Sequence, residues 1–257
     1  MVHAHGMIVS LLVAAGATTL AKTDAFAQTA RPLGIGHVTV IDVERGTRLR
    51  DQTIIVEGGL ISTVGPSSQV RVPDGYAYID ARGKFVIPGL VDVRLLARGD
   101  SSAVSKVTPP SLERDLLRGV LTVVQPAQGA VNVRGAGRDA VLPRVLAAGE
   151  RRDAGRRLAG ADSAADVLER IRALGASGLT PTAALRAVTY DAARWAGVED
   201  RVGVVAPGRF ADFLILRANP LDAIANVMMI DAIVVQGRVI DGEERNARLG
   251  RARQVSR

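Results

Sequence analysis

Histidine is the strongest candidate metal ligand in this sequence, and it is scarce. The 257 residues contain three histidines, His3, His5 and His37, and no cysteine. His3 and His5 stand at alternate positions, the spacing at which two side chains of one strand point the same way and can share a metal ion. They lie, however, in a segment typical of a leader peptide. The lack of cysteine excludes disulfides, thiolate metal sites and cysteine nucleophiles.

A second segment with possible chemistry is KFVIPGLVDVRLL, residues Lys84–Leu96, where a hydrophobic strand turns at Pro88–Gly89 and continues as another strand. It resembles the point in the amidohydrolase superfamily where the chain leaves a small β-sandwich and enters the first strand of a metal-bearing barrel. The family pattern is P-G-[LI]-[IV]-D-x-H-x-H, and the resemblance places Arg94 and Leu96 at its two histidine positions. Neither side chain can bind a divalent cation, because a guanidinium stays protonated and an alkyl chain has no lone pair.

Asp162 is the one candidate catalytic and metal-binding residue that the resemblance supplies. The segment Arg157–Ser163, RLAGADS, resembles the end of the family's eighth barrel strand. There, an aspartate binds a divalent metal such as zinc and takes a proton from the attacking water, whose pKa the metal lowers. An ordinary N-cap for a helix over 164–174 is the alternative role of Asp162. Since zinc sites use three or four protein ligands, a lone carboxylate is not sufficient, and we expect no cofactor.

Short strands and glycine turns are predicted near both ends of the chain. Gly58–Gly59 separates two strand patterns and predicts a two-residue hairpin with positive φ angles. The segment Asp200–Asp212, DRVGVVAPGRFAD, resembles the family segment that returns the chain from barrel to sandwich, and Asp212 is expected to cap a local turn. We therefore predict one composite β-sandwich from residues 31–87 and 202–243.

Residues 88–201 are predicted to form an incomplete barrel. A complete (β/α)8 barrel needs about 250 residues by itself, whereas this whole chain has 257. Leu116–Val124 resembles the family's second helix-to-strand element. The segment Gly178–Gly197 predicts a single helix, with Thr180 as its N-cap and Pro181 in its first turn. The predicted fold class is α/β: a β-sandwich formed by both chain ends, plus about three βα units of a TIM-like barrel.

The N-terminal residues predict export. Met7–Ala17 is an apolar run of eleven residues, which is too short to span a bilayer. Ala25–Phe26–Ala27 follows it as an A-x-A cleavage signature. We therefore predict a signal peptide over residues 1–27, a periplasmic or secreted protein, and no integral membrane segment after cleavage.

The net charge of +7 comes almost entirely from arginine, much of it in a basic tail predicted over residues 244–257. No aromatic interleaving and no helix-turn-helix or RNA-binding pattern accompanies these arginines, so we expect a solvated basic surface and no nucleic-acid partner. An incomplete barrel would leave unpaired strand edges, which favours a homo-oligomer.

Three functions stay open from the sequence. The first is a catalytically inactive relative of metal-dependent hydrolases, whose family chemistry is the hydrolysis of non-peptide C–N bonds, often in cyclic amides. The second is a non-catalytic extracytoplasmic binding or oligomerisation module. The third is an enzyme completed by a second subunit, acting on a small molecule that the sequence does not identify.

Overall fold

Alternating apolar residues near both chain ends form strands, and most of the described helices lie between them. The structure, a computed structural model, describes residues 31–93, 108–125, 141–148 and 167–254. Arg94, Leu96, Asp162 and the predicted signal peptide lie outside these ranges. The strands are β1 Leu33–Asp42, β2 Thr47–Glu57, β3 Leu60–Pro66, β4 Ala77–Asp80, β5 Phe85–Pro88, β6 Leu90–Val93, β7 Val120–Gln125, β8 Arg144–Ala147, β9 Phe213–Leu216, β10 Ile230–Val235 and β11 Arg238–Asp241. The helices are α1 Pro109–Leu117, α2 Val167–Ala176, α3 Pro181–Ala187, α4 Tyr190–Trp195 and α5 Gly242–Gln254, with a 3-10 helix over Ile224–Met228. The predicted α/β class is confirmed.

Strands from both chain ends share one eight-stranded sheet. Its order is β11-β10-β9-β5-β1-β2-β3, and β4 pairs with β1. The junction is the antiparallel pairing of β5 with β9, which runs from Phe85 opposite Leu216 to Pro88 opposite Phe213. Strand β5 therefore takes one of its two hydrogen-bonded neighbours from the C-terminal strands.

Strand β9 is buried on both faces. Phe213 and Ile215 pack in a cluster with the apolar residues of β1, β2 and β3. Leu214 and Leu216, which point to the opposite face, pack in a second cluster with residues of α1 and β7. Because successive side chains of a strand alternate between faces, this four-residue apolar strand contributes to two cores.

The second sheet is parallel, with the order β6-β7-β8. Its consecutive parallel strands require a crossover, and α1 lies between β6 and β7 in the chain. Residues of β6 and β7 contribute to the cluster shared with α1, and Val91, Val124 and Leu146 pack with apolar residues of α4. Both faces of this sheet are therefore covered, as parallel sheets require.

The two sheets meet closely at the turn between α1 and β7. Gly119 lies there with φ of 97°, and a Cβ atom at this position would lie 2.8 Å from Leu214 Cδ1. Its carbonyl accepts a hydrogen bond from the Leu90 amide at 3.0 Å. A larger residue would suffer both from the left-handed backbone and from the contact with β9.

The predicted hairpin at Gly58–Gly59 is confirmed. Gly58 and Gly59 have φ angles of 56° and 77°, and Glu57 pairs directly with Leu60 across the turn. Positive φ at both central residues is the type I′ geometry that matches the twist of the flanking strands.

The prediction of one continuous helix over Gly178–Gly197 is wrong, because the segment forms two helices, α3 and α4. The break falls at Val188, whose carbonyl accepts a hydrogen bond from the Val91 amide at 2.9 Å. A carbonyl that accepts a hydrogen bond from β6 is directed away from the helix axis. The predicted start is confirmed: the Thr180 Oγ1 accepts from the Ala183 amide at 3.2 Å, with Pro181 in the first turn.

The segment predicted as a basic tail is helical as far as Gln254 and packs against α1. Arg245 Nε donates to the Leu117 carbonyl at 2.7 Å. Arg248 bonds Glu113 at 3.1 Å and Glu244 at 2.6 Å. Two of the tail arginines thus hold α5 against α1. Among the described residues, no helix has the length and apolar character needed to cross a bilayer.

Candidate functional site

The end of the parallel sheet where β6, β7 and β8 finish is where a barrel enzyme of this topology would carry its active site. Strands β6, β7 and β8 finish at Val93, Gln125 and Ala147. Val93 pairs with Val124, and Gln125 pairs with Ala147. This end of the sheet therefore offers mainly aliphatic side chains in the part of the chain that the structure describes.

Asp92 is the carboxylate of β6 nearest to this end of the sheet. It is buried, with 8% of its surface exposed, and lies opposite Val123 of β7. It takes part in a hydrogen-bonding or other electrostatic interaction. Asp92 is therefore not a free residue.

His37 lies in β1, in the other sheet, and pairs with a carboxylate there. Its Nδ1 is 2.7 Å from Asp51 Oδ1, and the side chains are 34% and 65% exposed. Both residues adopt positive φ angles, 59° and 48°, and the β1–β2 register shifts between Ile35 and Val38. The pair thus bridges an irregularity in the sheet, which is a structural role.

The His37–Asp51 pair predicts a defined pH response. The hydrogen bond from His37 lowers the pKa of Asp51, and Ser67 and the His37 charge lower it further. A carboxylate whose pKa is lower in the folded state contributes stability above its unfolded pKa of about 3.9, and that contribution is lost as the pH falls through the folded pKa. We expect His37→Asn, which tolerates positive φ, to raise the Asp51 pKa toward its ordinary value in an NMR titration.

Glu57 provides the control for this titration. Its pKa is lowered first by a hydrogen bond from Tyr76, with a smaller contribution from Ser62. His37→Asn should leave the Glu57 midpoint unchanged, whereas Tyr76→Phe should raise it and leave Asp51 unchanged. An Asp51 midpoint that does not move in His37→Asn would contradict the assignment.

A deeply buried ion pair joins the two sheets. Arg144, the first residue of β8, donates from Nε to Asp212 Oδ2 at 2.7 Å. The Asp212 side chain is 2% exposed and that of Arg144 is 19% exposed. The Gln236 amide also donates to Asp212 Oδ1 at 2.7 Å, and the Arg144 guanidinium lies 3.6 Å from the centre of the Phe210 ring. Each charge thus has a close partner within the fold, and we interpret the pair as structural.

The turn-capping role expected for Asp212 agrees with its bond to Gln236, which begins the β10–β11 turn with φ of 53°. The ion pair with Arg144 was missed, because its partners are 68 residues apart. A carboxylate placed directly before an apolar strand signals a buried partner, since an unpaired buried charge is costly. That signal does not identify which arginine supplies the partner.

The donor set in the described ranges does not fit the divalent metal that the family resemblance implies. No group of three or more histidine, cysteine, aspartate or glutamate side chains there could hold a metal ion. His37 belongs to the other sheet and Asp92 is engaged. Catalytic metal sites use about three protein ligands with one open position, and we therefore derive no metal-dependent step from these residues.

Comparisons with known proteins all point to one superfamily. The profile of the Amidohydrolase family matches residues 137–240. Enamidase of Eubacterium barkeri is 30% identical over 113 residues, which are 44% of this chain and 28% of that protein. Imidazolonepropionase of Saccharopolyspora erythraea is 39% identical over 72 residues, which are 27% of this chain and 18% of that protein. The chain thus spans less than a third of the length of these curated relatives.

Several solved structures share the fold of this chain. A protein from Bifidobacterium longum assigned as a prolidase superposes with a TM-score of 0.62 at 17% identity, covering 87% of this chain and 99% of that chain. Molinate hydrolase superposes with a TM-score of 0.61 at 15% identity, covering 82% and 95% of the two chains. Identities this low show a shared fold and nothing about substrate. Taken together, the profile match, the curated relatives and these structures support membership of the amidohydrolase superfamily.

Proposed function

We propose that this chain is an amidohydrolase-superfamily protein that does not catalyse the metal-dependent hydrolysis of C–N bonds. The observation that carries the proposal is the sequence that follows β6. Strand β6 ends at Val93, and Arg94 and Leu96 come next, at the positions where the family pattern has its two histidines. Neither residue can supply a metal ligand.

An interpretation of the two sheets as parts of the family architecture supports this proposal. We interpret the eight-stranded sheet as the composite β-sandwich of residues 31–87 and 202–243. We interpret β6-β7-β8 as three barrel strands within residues 88–201, since they are parallel and adjacent in chain order. A barrel closed by eight strands would bring ligands together from several of them, and the three strands of this sheet in the described ranges offer far fewer positions.

The histidine count supports it further. His37 is the one histidine that remains after the proposed signal cleavage, and its Nδ1 is committed to Asp51. Asp162 is left as the only candidate ligand inherited by resemblance. The family's metal would supply an activated water, and a lone carboxylate does not hold such a metal with useful affinity.

Metal analysis tests the proposal. We expect purified protein, dialysed after incubation with zinc, manganese or iron, to retain far less than one metal ion per chain. It should hydrolyse no cyclic amide above background. The double variant Arg94→His with Leu96→His should restore neither property, because further ligands are missing. Near-stoichiometric metal after dialysis, or turnover abolished by Asp162→Asn, would instead support an enzyme completed by a second subunit.

A second candidate function is an extracytoplasmic assembly module, and the edge of the parallel sheet favours it. Among the described strands, β8 pairs with β7 and forms one end of its sheet. An exposed strand edge is a template for pairing with another chain. We expect a homo-oligomer by light scattering at micromolar concentration, and a monodisperse monomer would contradict the assembly role.

The proposed export has its own test. We expect an N-terminus at Gln28 in protein isolated from the periplasm or medium of its host.

A further inference from the structure

The chain contains two aspartate–glycine pairs, Asp74–Gly75 and Asp241–Gly242. In such a pair the amide nitrogen of the glycine can attack the side-chain carbonyl carbon of the aspartate, because glycine has no side chain to screen its amide. The rate of this attack depends on how freely the two groups can approach each other. The structure places the two pairs in contrasting surroundings.

Asp74–Gly75 lies in an exposed turn between β3 and β4. The Tyr76 amide donates to the Pro73 carbonyl at 3.3 Å and closes the turn. Gly75 has φ of 84°, and no atom beyond its chain neighbours lies within 4 Å of the position that a Cβ would take. Within the described ranges, neither the Asp74 carboxylate nor the Gly75 amide has a hydrogen-bond partner. Both reacting groups are therefore unrestrained and open to water.

Asp241–Gly242 is held in place by the start of α5. Asp241 ends β11, and its Oδ1 accepts a hydrogen bond from the Glu244 amide at 2.8 Å. Gly242 is the first residue of the helix, and a Cβ there would lie 3.1 Å from the Asp231 carbonyl oxygen. The Asp241 carboxylate would have to leave its capping bond before the Gly242 amide could attack it.

We propose that Asp74 is a site of spontaneous covalent modification, at which the folded protein converts aspartate to isoaspartate through a succinimide. The Gly75 amide nitrogen forms a bond to Asp74 Cγ, and the carboxyl hydroxyl leaves with the amide proton as water. Water then opens the succinimide ring. Addition at the Cγ carbonyl restores aspartate, whereas addition at the main-chain carbonyl breaks the bond from that carbon to the Gly75 nitrogen. The chain then runs through the Asp74 side chain, and its mass is unchanged.

The modification would alter the turn that leads into β4. Isoaspartate adds a methylene to the main chain and leaves the α-carboxylate as a side group, so the hydrogen bond between Tyr76 and Pro73 would close a longer loop. Strand β4 begins at Ala77, directly after Tyr76, and pairs with β1. A change in backbone length at Asp74 therefore acts directly on the start of β4.

Peptide mapping of the incubated protein tests the proposal and contains its own control. Trypsin cleaves after arginine, so the two pairs fall in separate peptides, residues 72–82 and 239–245. After incubation of the folded full chain at neutral pH, we expect peptide 72–82 to separate into two species of equal mass, with electron-transfer fragmentation locating isoaspartate at residue 74. Peptide 239–245 should convert at least about tenfold more slowly, because its carboxylate must first break a hydrogen bond.

Two further arms separate the effect of the fold from that of the local sequence. In guanidinium chloride, where the chain is unfolded, both pairs should convert at similar rates, since the capping bond of Asp241 is then absent. The variant Asp74→Glu keeps the negative charge, but its longer side chain disfavours ring closure, and it should give a single species of peptide 72–82. The second aspartate of that peptide, Asp80, accepts a hydrogen bond from the Arg82 amide at 3.1 Å and should not convert.

Three results would overturn the proposal. They are equal conversion of the two pairs in the folded chain, a single species of peptide 72–82 after incubation, and separation into two species that persists in Asp74→Glu.

Discussion

Asp212→Ala is expected to lower the free energy of unfolding by about 3–5 kcal/mol, because it leaves the Arg144 guanidinium buried without its counter-charge. The variant would also leave the Gln236 amide without the acceptor that it has at 2.7 Å. Chemical denaturation followed by circular dichroism measures the loss. Asp200→Ala is the matched control: its exposed pair with Arg201 at 3.6 Å should be worth no more than about 1 kcal/mol.

A double-mutant cycle separates the pair from its surroundings. Removing both charges with Arg144→Met and Asp212→Ala should cost less than the sum of the two single changes, since neither variant residue then leaves a buried charge unpaired. The Phe210 ring, 3.6 Å from the guanidinium, would pack against the methionine instead. Additive losses would show that Arg144 and Asp212 act independently and that the ion pair does not join the two sheets.

Local features were predictable from the sequence because the residues that cause them are neighbours. Gly58 and Gly59 determine the β2–β3 turn by their freedom to adopt positive φ. Thr180 and Pro181 determine the start of α3. The substitutions Arg94 and Leu96 were equally visible, because the strand-turn-strand segment that precedes them has a recognisable pattern.

Features that depend on distant residues were not predictable. The apolar periodicity of Gly178–Gly197 favours one helix, and nothing within that segment reveals that the Val188 carbonyl bonds the Val91 amide. The partner of Asp212 lies 68 residues away. Likewise, the arginines of the tail form an undivided basic run in sequence, whereas the structure gives Arg245 a helix carbonyl and Arg248 two carboxylates.

Phe213→Ala is expected to lower the free energy of unfolding by about 3–5 kcal/mol, the usual cost of removing a large buried aromatic side chain. Phe213 is fully buried and packs with apolar residues of β1, β2 and β3, although these strands come from the opposite end of the chain. Leu49→Ala is the control, since Leu49 of β2 is 43% exposed and its loss should cost less than about 1 kcal/mol. Denaturant unfolding measures both changes.

Hydrogen exchange in the Phe213→Ala variant tests whether the chain ends form one cooperative unit. Strand β5 pairs with β1 on one side and with β9 on the other, so weakening β9 should accelerate exchange in β1 and β5 as well as in β10. Amides of a single cooperative sheet open together and show similar free energies of exchange. Faster exchange confined to β9, β10 and β11, with β1 to β3 unchanged, would show that the two ends fold separately and that the shared sheet contributes little to stability.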